Sequence, residues 1–211
     1  MNVPHPLRSA RSRLLVAFVA ALAATPAGAM AGTFALEGFA SIGGPVRPEF
    51  FSAGWGGGYG IGGGLGLSTS RTDIMLQGEF AQFSFQGYEG LGNLGGERRF
   101  STLALLLRYR VWERVSAKHE GLAVAASAGW GHQSIAGTFG EGQGAQALLG
   151  DGTEDGLVWT AGLEFARDLY RTTRWAVGLR YSQFHFENET PAHVTLCFAL
   201  RMPLAGSRPG S

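Results

Sequence analysis

Seven charged side chains sit at alternating positions of otherwise uncharged segments: Glu37, Glu79, Arg108, Arg110, Glu164, Arg180 and Arg201. Carboxylates and guanidiniums in this balance can exchange protons, line an ion path, or pair with one another where water is excluded. The other residue types with chemistry to offer give less. Gly58-Tyr59-Gly60-Ile61-Gly62-Gly63 has the spacing of a phosphate-cradling loop, but that cradle needs a helix N-terminus next, and here the alternation of a strand continues. Asp151-Gly152-Thr153-Glu154-Asp155-Gly156 opens like a calcium loop, yet the twelfth position, where a Glu should stand, is Gly162. The five His residues, His119, His132, His185 and His193 among them, lack the spacing of a metal site. The expectation is therefore no catalytic set, no metal and no cofactor.

The elements that hold these charges alternate with period two, the signature of half-buried strands. Eight such segments follow one another: about Thr33 to Ile42, Ala53 to Leu67, Ile74 to Phe85, Thr102 to Val111, Leu122 to Trp130, Leu157 to Ala166, Trp175 to Ser182 and His193 to Met202. In the third, the apolar set changes phase between Phe80 and Ala81, which predicts a bulge. The connections alternate in length. Ser68–Asp73, Trp112–Gly121 and Arg167–Arg174 are short turns, while 43–52, 86–101, 131–156 and 186–192 are loops on the opposite side. An even number of strands with short turns at one end and longer loops at the other predicts an all-β, antiparallel, up-and-down transmembrane barrel, with periplasmic turns and extracellular loops.

Composition agrees with a membrane rather than an aqueous surroundings. Charged residues are 16% of the 211-residue chain, against roughly a quarter in soluble proteins, and 34 residues are Gly. Arg8, Arg11 and Arg13 precede an apolar run from Leu14 to Ala24, and small residues follow to Ala31. That is the layout of a signal peptide, residues 1–31, and the run is too short for an anchor, which needs about 20 residues. Residues 32–204 are then the barrel and 205–211 a short polar tail. Without the signal, 14 basic face 16 acidic side chains, a net charge of −2, so nucleic acid is not an expected partner. The lone Cys197 excludes a disulfide framework.

Sorted by strand parity, one face is bulky and apolar with almost no charge. The other is Gly, Ala, Ser and Thr interrupted by the seven charged residues. A water-soluble barrel needs the reverse, and a lipid-facing barrel needs this. So few carboxylates and guanidiniums inside an eight-stranded barrel must pair, because its own side chains fill it. They are expected to form one Glu/Arg network that closes the lumen, with a narrow ion or solute path as the alternative. Aromatic girdles are expected at both interfaces: Phe34, Tyr109, Trp112, Phe165, Tyr170 and Trp175 at the turn side, and Phe51, Trp55, Phe83, Tyr88, Phe100, Trp130, Trp159 and Phe184 at the loop side.

The segments Arg99-Phe100-Ser101-Thr102-Leu103 to Arg108-Tyr109-Arg110, and Gly178-Leu179-Arg180-Tyr181 followed by Val194 to Arg201, resemble the small outer-membrane β-barrels of Gram-negative bacteria, of the OmpA-like and opacity-protein-like type. The resemblance implies residence in the outer membrane, contact with its lipid and lipopolysaccharide, insertion by the barrel-assembly machinery, and a structural or surface-interaction role through the loops. Residues 131–156 are the leading place for an extracellular ligand. Members usually end on an aromatic residue, whereas this chain runs Met202-Pro203-Leu204 into its tail. His185-Phe186-Glu187-Asn188 lies where a family of lipid A deacylase barrels carries His-x-Ser-Asn, but Glu187 replaces the nucleophilic Ser and Ser182 has the opposite parity to His185. A non-enzyme is expected.

Overall fold

The computed structural model describes residues 32–49, 54–85, 95–115, 119–138, 152–170 and 173–204. Its strands are β1 (Thr33–Arg47), β2 (Trp55–Ser68), β3 (Thr72–Phe85), β4 (Gly95–Arg114), β5 (Glu120–Thr138), β6 (Gly152–Tyr170), β7 (Thr173–His185) and β8 (Ala192–Pro203). They pair antiparallel in chain order, and β1 closes on β8 to make a barrel. Closure gives every strand a partner on both sides and leaves no edge, the condition for non-helical backbone inside hydrocarbon. The turns joining β2 to β3, β4 to β5 and β6 to β7 lie at one end with the start of β1 and the end of β8. We call this the turn end, and the opposite one the loop end.

All eight expected strands are present, and all but β2, which starts at Trp55 where Ala53 was expected, extend beyond the alternation that marks them. β4, β5 and β6 reach 20, 19 and 19 residues, taking Gly95–Ser101 from the expected loop 86–101 and both flanks of the expected loop 131–156. Gly152–Gly156 is strand paired with Gly131–Ile135, so the calcium-loop segment is not a loop where it is described. The cause is that strand ends beyond an apolar band keep their backbone ladder while losing the apolar periodicity. The expected signal peptide 1–31, the tail 205–211, the loop portions 50–53, 86–94 and 139–151, and the girdle residues Phe51 and Tyr88 fall outside the described residues.

The bulge expected between Phe80 and Ala81 does not occur. β3 pairs with β4 without interruption from Thr72 to Ser84, with Phe80 outward and Ala81 and Phe83 buried inside. The apparent phase change arises because the interior is itself apolar at the loop end. A register shift lies instead in β2, between Trp55 and Gly58. Its extra residue reverses the phase and turns Trp55 inward, to 3% exposure. Gly62 has a local role: a Cβ there would overlap the Phe39 ring, so the missing side chain lets Phe39 enter the lumen.

The outward face is apolar around the barrel, with Leu36, Ile61, Leu103, Leu107, Leu163 and Phe198 exposed. On β6 it runs Leu157, Trp159, Ala161, Leu163, Phe165 between Asp155 and Arg167, roughly 26 Å along the strand at 3.3 Å per residue. At the tilt of about 35–45° usual in barrels this is about 20 Å of height, so Asp155 and Arg167 bracket the ~25 Å apolar band of outer-membrane barrels. Leu163 lies within this band, so Leu163→Arg is expected to cost about 2–4 kcal/mol of folding free energy in lipid vesicles. Ser134→Arg, beyond the band, is expected to cost about 1 kcal/mol or less. Urea titration of the two variants measures the difference, and equal costs would contradict a lipid-facing Leu163.

Candidate functional site

Strand register brings the interior charges together at the turn end. Glu37 lies opposite Arg201 across β1 and β8, and Asp73 lies opposite Arg108 across β3 and β4. Arg108 is the hub. Its Nη2 donates to Glu37 Oε2 at 2.9 Å and its Nη1 to Asp73 Oδ2 at 3.1 Å. Its Nε stands 3.2 Å from Glu164 Oε2, an ion pair without hydrogen-bond direction. Arg201 donates to Glu37 and pairs with Glu164, and Gln77 Nε2 donates to Glu37 Oε1 at 3.1 Å. Glu37 and Arg108 are each 1% exposed, so Coulomb attraction here must offset nearly complete desolvation.

Five of the seven expected residues join in one network. Arg110 reaches it from the rim through Asp73, whose Oδ1 accepts from Arg110 at 2.8 Å while its Oδ2 accepts from Arg108, and Arg110 also donates to the carbonyls of Thr69 and Ser70, which ties the β2–β3 turn to β4. Glu79 and Arg180 form a separate pair at 3.4 Å deeper in the barrel. Ser41 donates to Glu79, and the Arg180 guanidinium lies 5.0 Å over the Phe39 ring. Asp73 and Gln77 are members that sequence reasoning missed. Asp73 falls in the expected turn Ser68–Asp73, although it shares the inward parity of Met75, Gln77 and Glu79.

The loop half of the interior holds aromatic packing. Trp55, Ala81, Phe83, Phe100, Val158, Phe184 and Phe186 form one cluster. Phe100 meets Phe184 at 4.6 Å and Phe83 at 5.8 Å, and His193 lies 5.0–5.8 Å from the rings of Phe83, Phe100 and Phe184. Trp55, Phe83, Phe100 and Phe184 were expected in the loop-side girdle and are inside instead. Above them, Arg98 donates to Gln133 Oε1 and to Glu189 of the β7–β8 segment. Both Arg98 and Gln133 went unnoticed in the sequence because they lie past the apolar alternation, although both keep its inward parity.

The other girdle residues whose side chains are described face outward. Phe34, Tyr109 and Trp112 are exposed near the turn end, and Phe165 and Trp175 meet edge-on at 6.0 Å. Tyr170 closes β6 at this end. Toward the loop end, Trp130 donates its indole N–H to Asp155 at 3.3 Å, and Trp159 donates to His185 Nε2 at 3.2 Å. His185 is thus on the outer face, while Ser182 is buried inside at 3% exposure, so the two make no nucleophile–base pair. Among the described residues no cluster of three metal-ligating side chains occurs.

Free space is discontinuous. A vestibule of about 380 Å³ opens at the turn end beside Asp73, Arg110, Asp168, Arg174 and Arg201. The mid-barrel cavity lined by Glu79, Thr102, Ser127, Thr160, Arg180 and His193 is only about 10 Å³, at the lower limit for a single water. Removing Glu37 leaves Arg108 and Arg201 short of a buried counter-charge, and Glu37→Ala is expected to destabilise the barrel by about 3–5 kcal/mol. Glu79→Ala, which unpairs only Arg180, should cost less. Unfolding midpoints in vesicles rank the two, and equal losses would deny the turn-end cluster its central place.

No family model matches the chain, and no curated protein matches it. Solved structures do. The crystal structure of Neisserial surface protein A, NspA, aligns with a TM-score of 0.56 at 11% identity, over 81% of this chain and 97% of that one. OprG from Pseudomonas aeruginosa aligns with a TM-score of 0.48 at 14% identity, over 83% and 98%. Ail, the attachment invasion locus protein of Yersinia pestis, gives 0.46 at 14%, over 81% and 99%. Eight antiparallel strands in a closed ring, with charges inside and apolar side chains outside, are the fold shared with NspA, a small outer-membrane β-barrel.

Proposed function

We propose that this chain is an integral outer-membrane barrel with a structural or surface-interaction role, exported by residues 1–31 and inserted by the barrel-assembly machinery. Lipid and lipopolysaccharide surround its apolar face, and its loop end is extracellular. The observation that carries this reading is the interior, filled by ion pairs at one end and by aromatic rings at the other. A wall that is apolar outside and sealed inside serves to display what it holds at its rim.

The loop end is acidic in balance: Glu49, Glu97, Glu154, Asp155, Glu187 and Glu189 stand against Arg47, Arg98 and Arg99 among the described residues. This favours a surface partner that is cationic or bridged by cations. Residues 131–156 are the proposed place for it; their flanks belong to β5 and β6. The two alternatives gain no observation. A solute path meets two fillings in series, and a deacylase has no serine beside His185.

In the outer-membrane fraction the protein is expected to migrate differently in SDS before and after boiling, because a closed barrel resists the detergent until heated. Reconstituted in planar bilayers, it is expected to give no conductance steps. Steady single-channel currents would overturn the sealed-barrel role, and recovery as a soluble periplasmic protein would overturn the membrane assignment.

A further inference from the structure

The segment between β7 and β8 does not project away from the barrel. It folds back over the mouth, and three kinds of contact hold it there. Two backbone hydrogen bonds shape it: Phe184 N–H to Pro191 O at 2.9 Å and Phe186 N–H to Glu189 O at 3.0 Å. The Phe186 ring lies inside, 8% exposed, stacked on Phe184 at 5.5 Å and nearly parallel to Phe100 at 6.4 Å. The Glu189 carboxylate reaches across to β4 and β5, accepting from Arg98 and from Gln133 Nε2, the latter at 2.7 Å.

Each partner of that carboxylate is itself fixed. Arg98 is 1% exposed, donates twice to Gln133, and stands 5.4 Å over the Phe100 ring. Gln133 is also buried. Arg98 and Gln133 therefore form a prebuilt socket on two strands, and the side chain that fills it comes from a segment 91 positions from Arg98 in sequence. Gly156 completes the fit, since a Cβ there would collide with the His185 carbonyl and press on the Phe186 ring. Both rings that Phe186 stacks on, Phe100 and Phe184, also pack against His193, whose Nδ1 has no hydrogen-bond partner.

We propose that residues 186–191 are a latched lid on the loop end of the barrel: Glu189 is the latch, Arg98 and Gln133 are its socket, and Phe186 is the plug that the latch keeps seated. A charge-assisted carboxylate–guanidinium contact is strong where water is scarce, and it is the contact that ties the segment across the mouth to β4 and β5, while Asn188 donates to Glu154 on β6. Access from outside to the interior at His193 is then governed by one carboxylate. The ion-pair cluster at the turn end is a separate barrier and stays shut when the lid lifts, so opening exposes a blind cup rather than a pore.

The test uses the full barrel folded in lipid vesicles, with two readouts. Amide hydrogen exchange is followed at Phe184 and Phe186, and His193 is probed by carbethoxylation with diethyl pyrocarbonate, the exposed His132 and His185 serving as reactive controls. In the unaltered protein His193 is expected to stay unmodified. Glu189→Ala is expected to speed exchange at Phe184 and Phe186 by on the order of tenfold or more and to open His193 to the reagent, with exchange in β3 and β4 near Asp73 and Arg108 unchanged. Phe186→Ala is expected to open His193 with Glu189 still seated, which separates plug from latch. Should Glu189→Ala fail to give the heat-dependent shift of a folded barrel, Glu189→Gln, which retains an acceptor, takes its place with a smaller increase expected. A folded variant that keeps His193 protected and exchange unchanged would overturn the latch, and His193 modified in the unaltered protein would overturn the lid.

Discussion

A charge inside an eight-stranded barrel has almost no water to solvate it, and that constraint orders the rest of the structure. Within its apolar band the outer face suits hydrocarbon and holds no charge, so a strand that carries one at that level must turn it inward. The interior is too narrow to hydrate it. The remaining solution is pairing, and the geometry satisfies it level by level: Asp73, Glu37 and Glu164 with Arg110, Arg108 and Arg201 at the turn end, then Glu79 with Arg180, then Glu189 with Arg98 at the mouth. At each level acid and base balance. A surplus of either sign would leave an unpaired charge, whose desolvation costs several kcal/mol.

Two different fillings follow from how the strands are written. Near the turn end the inward positions are Glu, Asp and Arg, and the lumen is closed by hydrogen-bonded ions whose directions fix neighbouring strands in register. Near the loop end they are Phe, Trp and Val, closed by ring packing, where offset and edge-on contacts contribute about 0.5–1.5 kcal/mol each beyond area burial. Between them lies a layer of Ser, Thr and Gln with almost no free volume. A barrel filled this way has no continuous path through its interior among the described residues.

The barrel was legible from alternation alone because lipid imposes one parity over the whole outer face, and eight segments repeat it. The lumen charges were legible for the same reason: Glu37, Arg108 and Arg201 interrupt runs of small residues and can only point inward. Two inferences failed where that rule weakens. At the loop end both faces are apolar, so Phe80 and Ala81 read as a phase change that does not exist, and Phe83, Phe100 and Phe184 read as lipid-facing rings. Trp55 failed for another reason, since a single extra residue in β2 reverses its parity and nothing in the residue types of Gly56-Gly57-Gly58 announces it. The lid was beyond parity altogether, because Glu189 meets Arg98 by chain reversal and not by strand register.

The two fillings also differ in what change they tolerate. An ion cluster is a set of mutual obligations: replacing one member leaves its partners buried and unsatisfied, so single changes are costly and only coordinated ones are neutral. A ring cluster answers to volume and shape, and swaps that conserve both are tolerated far better. The charged cluster stands at the turn end, where the short turns must be held, and the aromatic cluster stands beneath the loops. The chain can therefore alter the rim it presents, and the packing immediately below it, without disturbing the ionic hub that keeps β1, β3, β4, β6 and β8 in register.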